Sequence, residues 1–327
     1  MNRITIGASL LVFASAACAQ TSGDRGVVAV APNRASCAPL TQVDSAGLLS
    51  DVFRLAADSM MGRYMGSPEG AKARDFIAAR FDALGLGTIA PGRIHPITVP
   101  ASARLPDGAR AWNIVGLIRG TQSPEQYVVI TAHFDHVRGA TVAGDSIYNG
   151  ADDNASGTAA LMAMAKYFRQ NPPRHSVVLA AVDGEERGMW GSRHFVDTPT
   201  VPLEKILVNV NMDMIGRNVK NELYAAGPGK WPLLRPSVAA AVVCAPLTLL
   251  LGHDTPAAGP GNDWTTQSDQ GSFHRKNIPF VYFGVEDHPD YHKPSDHPER
   301  LMPGFYVNAV RTIIDYVKRF DANPVMR

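Results

Sequence analysis

Short, nearly continuous apolar runs alternate along this chain with longer segments whose apolar residues recur every three to four positions. Asn113 to Ile118, Tyr127 to Ala132, Ser176 to Val182, Ile206 to Met212 and Pro279 to Gly284 are runs of the first kind. Bounded by turn residues, they predict strands. Thr158 to Arg169, a stretch near Met189 to Phe195, Leu233 to Cys244 and Phe305 to Phe320 predict helices. The helix from Thr158 has Asn154 or Ser156 as its cap and stops at Pro172-Pro173. Two further amphipathic helices are expected between Ser45 and Leu86, the second carrying Ala73, Phe76, Ile77, Phe81 and Leu84 on one face before Gly85 and Gly87 end it. Strands apolar throughout need cover on both faces. The pattern therefore predicts an α/β fold, a mostly parallel mixed sheet sandwiched by helices. One domain is expected over 45–327, with 45–111 as its helical N-terminal part.

Ahead of that domain, Arg3 precedes the apolar stretch Ile4 to Ala17, which ends in small residues. That predicts a signal peptide over 1–19, followed by an extended leader over 20–44 rich in Pro, Gly, Ser and Ala. Two processing readings stand side by side. Ala17-Cys18-Ala19 fits cleavage before Gln20; Ser15 to Cys18 fits a lipoprotein box with Cys18 acylated, although Ser15 stands where Leu is usual. Both make the chain exported, periplasmic or secreted, as a soluble protein or a membrane-anchored lipoprotein. No later uncharged run is long enough for a transmembrane segment. With 327 residues, 45% hydrophobic and 19% charged, a sizeable core is expected. A net charge of +1 gives no electrostatic reason to expect nucleic acid as a partner. Cys37 and Cys244 either pair in an oxidising compartment or are two unrelated small apolar residues.

The chemistry lies where predicted strands end. His133 and Asp135 follow one strand, Glu185 and Glu186 another, Asp213 a third, and Asp152-Asp153 sit on a Gly-rich bend before a helix. Sites in open α/β sheets gather beyond the carboxyl ends of strands. With His292, this set suffices for two divalent metals: His133, Asp152, Glu186, Asp213 and His292 as ligands, and Glu185 free as general base. Asp135, two positions after His133 in extended chain, is placed to accept the other imidazole N–H. Each residue has a plainer reading. His133 alone reads as a core histidine, the paired aspartates as helix N-terminal acids, and Glu185-Glu186 as a solvated turn. Jointly those readings need five coincidences in order.

The chain resembles the family-28 metallopeptidases, which include bacterial dizinc aminopeptidases, glutamate carboxypeptidase and the related glutaminyl cyclases. The matching segments are Ala132 to His136, Asn149 to Gly157, Asp183 to Glu186, Asn211 to Gly216, Ser268-Asp269 with Phe273, and His288 to Asp296. The Gly62-Arg63 to Gly66-Ser67-Pro68 connector is also similar, and in it Arg63 fits a solvated or ion-paired structural role better than substrate contact. The resemblance implies two Zn2+ per chain and a zinc-exopeptidase-like domain; a carboxylate-rich site also accepts Co2+ or Mn2+ as substitutes. It makes Asp152 the bridging ligand, with His133 and Asp213 completing one site and Glu186 and His292 the other. Glu185 becomes the proton shuttle, and a strained cis link is implied between Asp152 and Asp153. His136, His288 and His297 are rival ligands. The gap before Asn113 is too short for an inserted protease-associated domain.

The expected function is that of a metallo-aminopeptidase acting on peptide substrates. Glutaminyl cyclase, carboxypeptidase or dipeptidase chemistry are alternatives, as is a non-enzymatic peptide-binding protein. Ser268-Asp269 is expected to order a loop beside the pocket, and the Gly- and Pro-rich stretch from Gly227 to Thr266 to shape its walls.

Overall fold

The computed structural model describes residues 37, 39–101, 108–255, 259 and 261–325. The expected signal peptide, the acylation candidate Cys18 and most of the leader lie outside the described residues. Eight strands form one sheet: β1 (Ile94–Val99), β2 (Ala109–Ile118), β3 (Ser123–His133), β4 (His175–Val182), β5 (Ile206–Met212), β6 (Glu222–Ala226), β7 (Thr248–Leu251) and β8 (Phe280–Gly284). Their order is β1-β2-β4-β3-β5-β8-β6-β7. The central neighbours β4-β3, β3-β5 and β5-β8 are parallel, as is β6-β7 at one edge; β1-β2, β2-β4 and β6-β8 are antiparallel. Every residue of β4, β5 and β8 is buried. That is why these strands read as unbroken apolar runs.

The helices are α1 (Ser45–Leu55), α2 (Pro68–Ala83), α3 (Gly157–Gln170), α4 (Trp190–Asp197), α5 (Arg235–Cys244), α6 (Gln270–Arg275) and α7 (Pro303–Ala322). α1, α2, α3, α5 and α7 share the larger core on one face of the sheet, and α4 and α6 share a second core on the other. α7 buries Tyr306, Val310, Ile313, Val317 and Phe320, a stripe at helical spacing. Ser67 caps α2 by accepting from the Gly70 N–H at 3.0 Å, and Pro68 occupies the first turn, where no N–H is needed. Asn154 caps α3, its Oδ1 accepting from the Gly157 N–H at 2.9 Å.

The mostly parallel sheet between helices is as expected, and so are all five predicted strands. β1, β6, β7 and the short α6 were not foreseen. β1 means that 45–111 is not purely helical: it supplies an edge strand, where Pro96 is tolerated. Cys37 and Cys244 are disulfide-bonded, with an S–S distance of 2.06 Å. Among the described residues no helix is long and apolar enough to cross a membrane.

Arg63 is not solvated, and among the described residues it is in no ion pair. It is fully buried, and its guanidinium donates to four main-chain carbonyls: Leu55 and Phe134 at 2.7 Å, Asn149 and Gly150 at 2.8 Å. Those carbonyls belong to the end of α1, the exit of β3 and the bend before α3.

Candidate metal centre

Parallel strands deliver their following residues to one rim of the sheet. β3 ends at His133, β4 leads through Asp183-Gly184 to Glu185 and Glu186, and β5 ends one residue before Asp213. The loop after β8 brings in His292. The remaining contribution comes from the irregular turn Ala151–Ser156 before α3. Gly150 enters that turn at φ 56°, and a Cβ there would stand 2.3 Å from the Asp153 carbonyl oxygen and 2.5 Å from the His136 ring. Only glycine fits.

His133 Nε2 lies 3.2 Å from Asp213 Oδ1 and 3.4 Å from Asp153 Oδ1. His292 Nε2 lies 3.1 Å from both Asp153 Oδ2 and Glu186 Oε2. The two oxygens of Asp153 thus face two separate donor groups. With zinc–ligand bonds of about 2.0–2.1 Å, donors on one tetrahedral ion stand about 3.3 Å apart. The observed separations match that spacing. The Asp153 carboxylate is moreover buried among these donors, and a cation would offset the cost of burying its charge. The donor set therefore fits zinc.

The place facing both donor groups, expected of Asp152, is taken by Asp153. Asp152 Oδ1 instead accepts from the Gly216 N–H at 2.6 Å, and its Oδ2 lies 3.1 Å from His288 Nε2. The cis link falls between Asp153 and Asn154, one residue later than expected. Asp296 holds the turn by accepting from the N–H groups of Asp152 at 3.0 Å and Asp153 at 3.1 Å. These bonds turn the Asp152 carboxylate away from the centre and leave that of Asp153 facing into it.

Asp135 stands behind His133, as expected, but His133 Nδ1 is hydrogen-bonded to the Asp135 main-chain oxygen at 3.1 Å, with the carboxylate at 3.7 Å. That carboxylate accepts from the Glu185 N–H at 3.0 Å and so fixes the turn bearing both glutamates. Of the rival histidines, His288 serves Asp152, and His297 lies 3.6 Å from Asp145, away from the centre. β3 has ended before His136, whose Nδ1 comes within 3.1 Å of Glu186 Oε1. Its position directly after Asp135 was the one sequence signal for it. His136, Asp153 and Glu186 satisfy the spacing of a metal cluster, as do His133, Asp153 and Asp213. His136, however, is fully buried behind the cleft wall, whereas His292 is on it.

Burial, with Glu186, Asp269 and Asp213 nearby, pushes the Glu185 carboxyl well above its usual range against the pull of His133. Burial also raises Asp153. It would raise Glu186 too, but hydrogen bonds from His136 and His292 outweigh it and hold that carboxyl low. Burial opposes the charge on His292, yet Asp153 and Glu186 raise its imidazole to about 10. Ser268 orders its loop by accepting from Asn211 Nδ2 at 3.1 Å, and burial pushes the Asp269 carboxyl up to about 7.

A match to peptidase family M28 covers residues 113–317 and includes every residue of the centre. The Leptosphaeria maculans "Probable zinc metalloprotease" is 32% identical over 149 residues, 44% of this chain and 34% of that protein. The chain spans about a third of the length of such curated relatives. Among solved structures, a zinc aminopeptidase from Bacillus subtilis has a TM-score of 0.66 at 18% identity, over 85% of this chain and 94% of that one. The Bacteroides thetaiotaomicron glutaminyl cyclase bound to N-acetylhistamine has a TM-score of 0.68 at 17% identity, over 86% and 99%. At those identities the likeness is one of fold. The family match and the zinc-sized donor spacing go further, and they agree: this chain belongs to peptidase family M28.

Proposed function

We propose that this chain is an exported aminopeptidase that holds two zinc ions and removes N-terminal residues from peptides. The shared carboxylate of Asp153 carries the reading, one oxygen facing His133 and Asp213 and the other facing His292 and Glu186. In this reading His133, Asp153 and Asp213 hold one ion, and Asp153, Glu186 and His292 the other, with cobalt or manganese as substitutes. Bound zinc supplies Lewis acidity toward the scissile carbonyl and lowers the pKa of a nearby water. Asp135 keeps His133 in one tautomer and orientation, and His136 holds the Glu186 carboxylate in place.

Glu185 lines the same cleft and has no ligand role. It takes the proton of the attacking water and delivers it to the leaving amine nitrogen, ending in its starting state. Export is supported by the N-terminal apolar stretch and by the Cys37–Cys244 disulfide, a bond of oxidising compartments. Release before Gln20 and acylation at Cys18 are two forms of that proposal.

Glu185→Gln should retain its zinc by elemental analysis and lose about 10²–10⁴-fold in turnover. A variant as active as the parent would remove Glu185 from the mechanism. Product analysis tests the class of reaction. Free amino acids released from unblocked peptides are expected; loss of the amine of N-terminal glutamine without any release would replace this reading by cyclisation.

A further inference from the structure

Resting on the aminopeptidase reading, the cleft carries information about which side chain it accepts. It encloses about 490 Å³ including its open mouth. Beyond the metal centre its walls are Trp264, Tyr282, Tyr291, Met214 and Val285, with the polar Gln267 and Ser268 and one further carboxylate, Asp287. The walls are rigid. The His253 ring stacks on Trp264 at 3.6 Å and 5°, and Trp264 meets Tyr282 edge-on at 5.6 Å. A preformed cleft with both aromatic and polar walls favours a side chain that joins a hydrocarbon stem to a polar end.

Asp287 differs from the acids around it. Glu286 lies 3.7 Å from His253 Nε2, and Asp290 lies 2.6 Å from Arg217 Nη1. Among the described residues Asp287 has no such cationic partner, and it is exposed on the cleft wall. Two divalent ions would balance the four carboxylates Asp153, Glu185, Glu186 and Asp213, so Asp287 would set the sign of the potential at the mouth. Aromatic faces beside it also attract a cation. We infer that the slot selects an N-terminal lysine or arginine, its aliphatic stem lying along Trp264 and Met214 and its cation paired with Asp287.

The zinc-loaded full chain would be assayed on lysyl, arginyl, norleucyl and leucyl p-nitroanilides. Norleucine shares the four-carbon stem of lysine without its charge. The expected result is a kcat/KM for lysine and arginine about tenfold above norleucine at low salt, shrinking as salt is added. Asp287→Asn should bring the lysine-to-norleucine ratio close to one, and Asp287→Glu should keep it. Calorimetric binding of free L-lysine and L-norleucine should show the same preference, and its loss in Asp287→Asn. A parent enzyme that favours norleucine, or an Asp287→Asn variant that slows every substrate equally, would overturn the assignment; the second outcome would make Asp287 a partner of the α-amine. Failure of the underlying reading looks different: no p-nitroaniline is released from any aminoacyl substrate.

Discussion

Asp152 and Asp153 are neighbours in one short turn, yet one bonds to the Gly216 N–H and the other faces both donor groups. Asp153→Asn should therefore lose most of its zinc and its activity, because an amide neutralises the shared charge and offers one oxygen where two are needed. Asp152→Asn keeps an acceptor for the Gly216 N–H and should retain the parent zinc content. Elemental analysis of both variants checks this, and the reverse pattern would return the bridging role to Asp152. The residue types were legible in the sequence; the choice between the two aspartates was not. In a regular strand, side-chain direction follows from parity, which is how Asp135 was placed beside His133. Inside the Ala151–Ser156 turn there is no period to count, and the backbone alone decides which acid faces inward. The direction of His136, named only as a rival ligand, was hidden for the same reason, since it stands just beyond the end of β3.

At the scale of elements, Arg63 joins three of them by bonding to carbonyls from α1, the exit of β3 and the bend before α3. Burial lowers its pKa only to about 10, with Asp153 and Asp135 supporting its charge, so it stays protonated. Arg63→Met should destabilise the chain by about 3–5 kcal/mol, since four buried carbonyls lose their donor. Arg63→Lys should recover only part of that, because an ammonium cannot span the same fork. Urea unfolding of the chelated protein measures both, and a loss below about 1 kcal/mol would deny the clamp. A lone arginine among glycines looks solvated in a sequence, so nothing there distinguished this role. Long periodic helices and wholly buried strands were legible. β6 and β7, of five and four residues, were too short to show a pattern, and Pro96 breaks up the short β1, which tolerates it only as an edge strand.

The whole molecule assembles its centre from segments that only the parallel sheet brings together, and their charges couple stability to protons. Stripped of metal, the chain holds His292 protonated up to about 10, and Asp213 raises His133 in the same direction against its burial. A folded pKa above the usual 6.5 adds stability that is full below about pH 6.5 and is lost as pH climbs toward 10. Asp269, raised to about 7, acts with the same sign. The melting temperature of the chelated chain should therefore fall between pH 7 and 10, while zinc affinity rises as protons cease to compete. Thermal scans with chelator and with zinc check this; a chelated chain that gains stability over that interval would contradict it. What the sequence made legible at this scale was the order of the motifs and the layers around the sheet. The pairing of Cys37 with Cys244 stayed open, since two cysteines far apart carry no sign of proximity. Once joined, they close a covalent ring over their separation of 207 positions, and the ring contains His133, Asp153, Glu186 and Asp213. A backbone cut inside it opens the ring but frees none of these four donors. His292 alone hangs on the tail outside, and a break between Cys244 and His292 would let that donor leave together with α7.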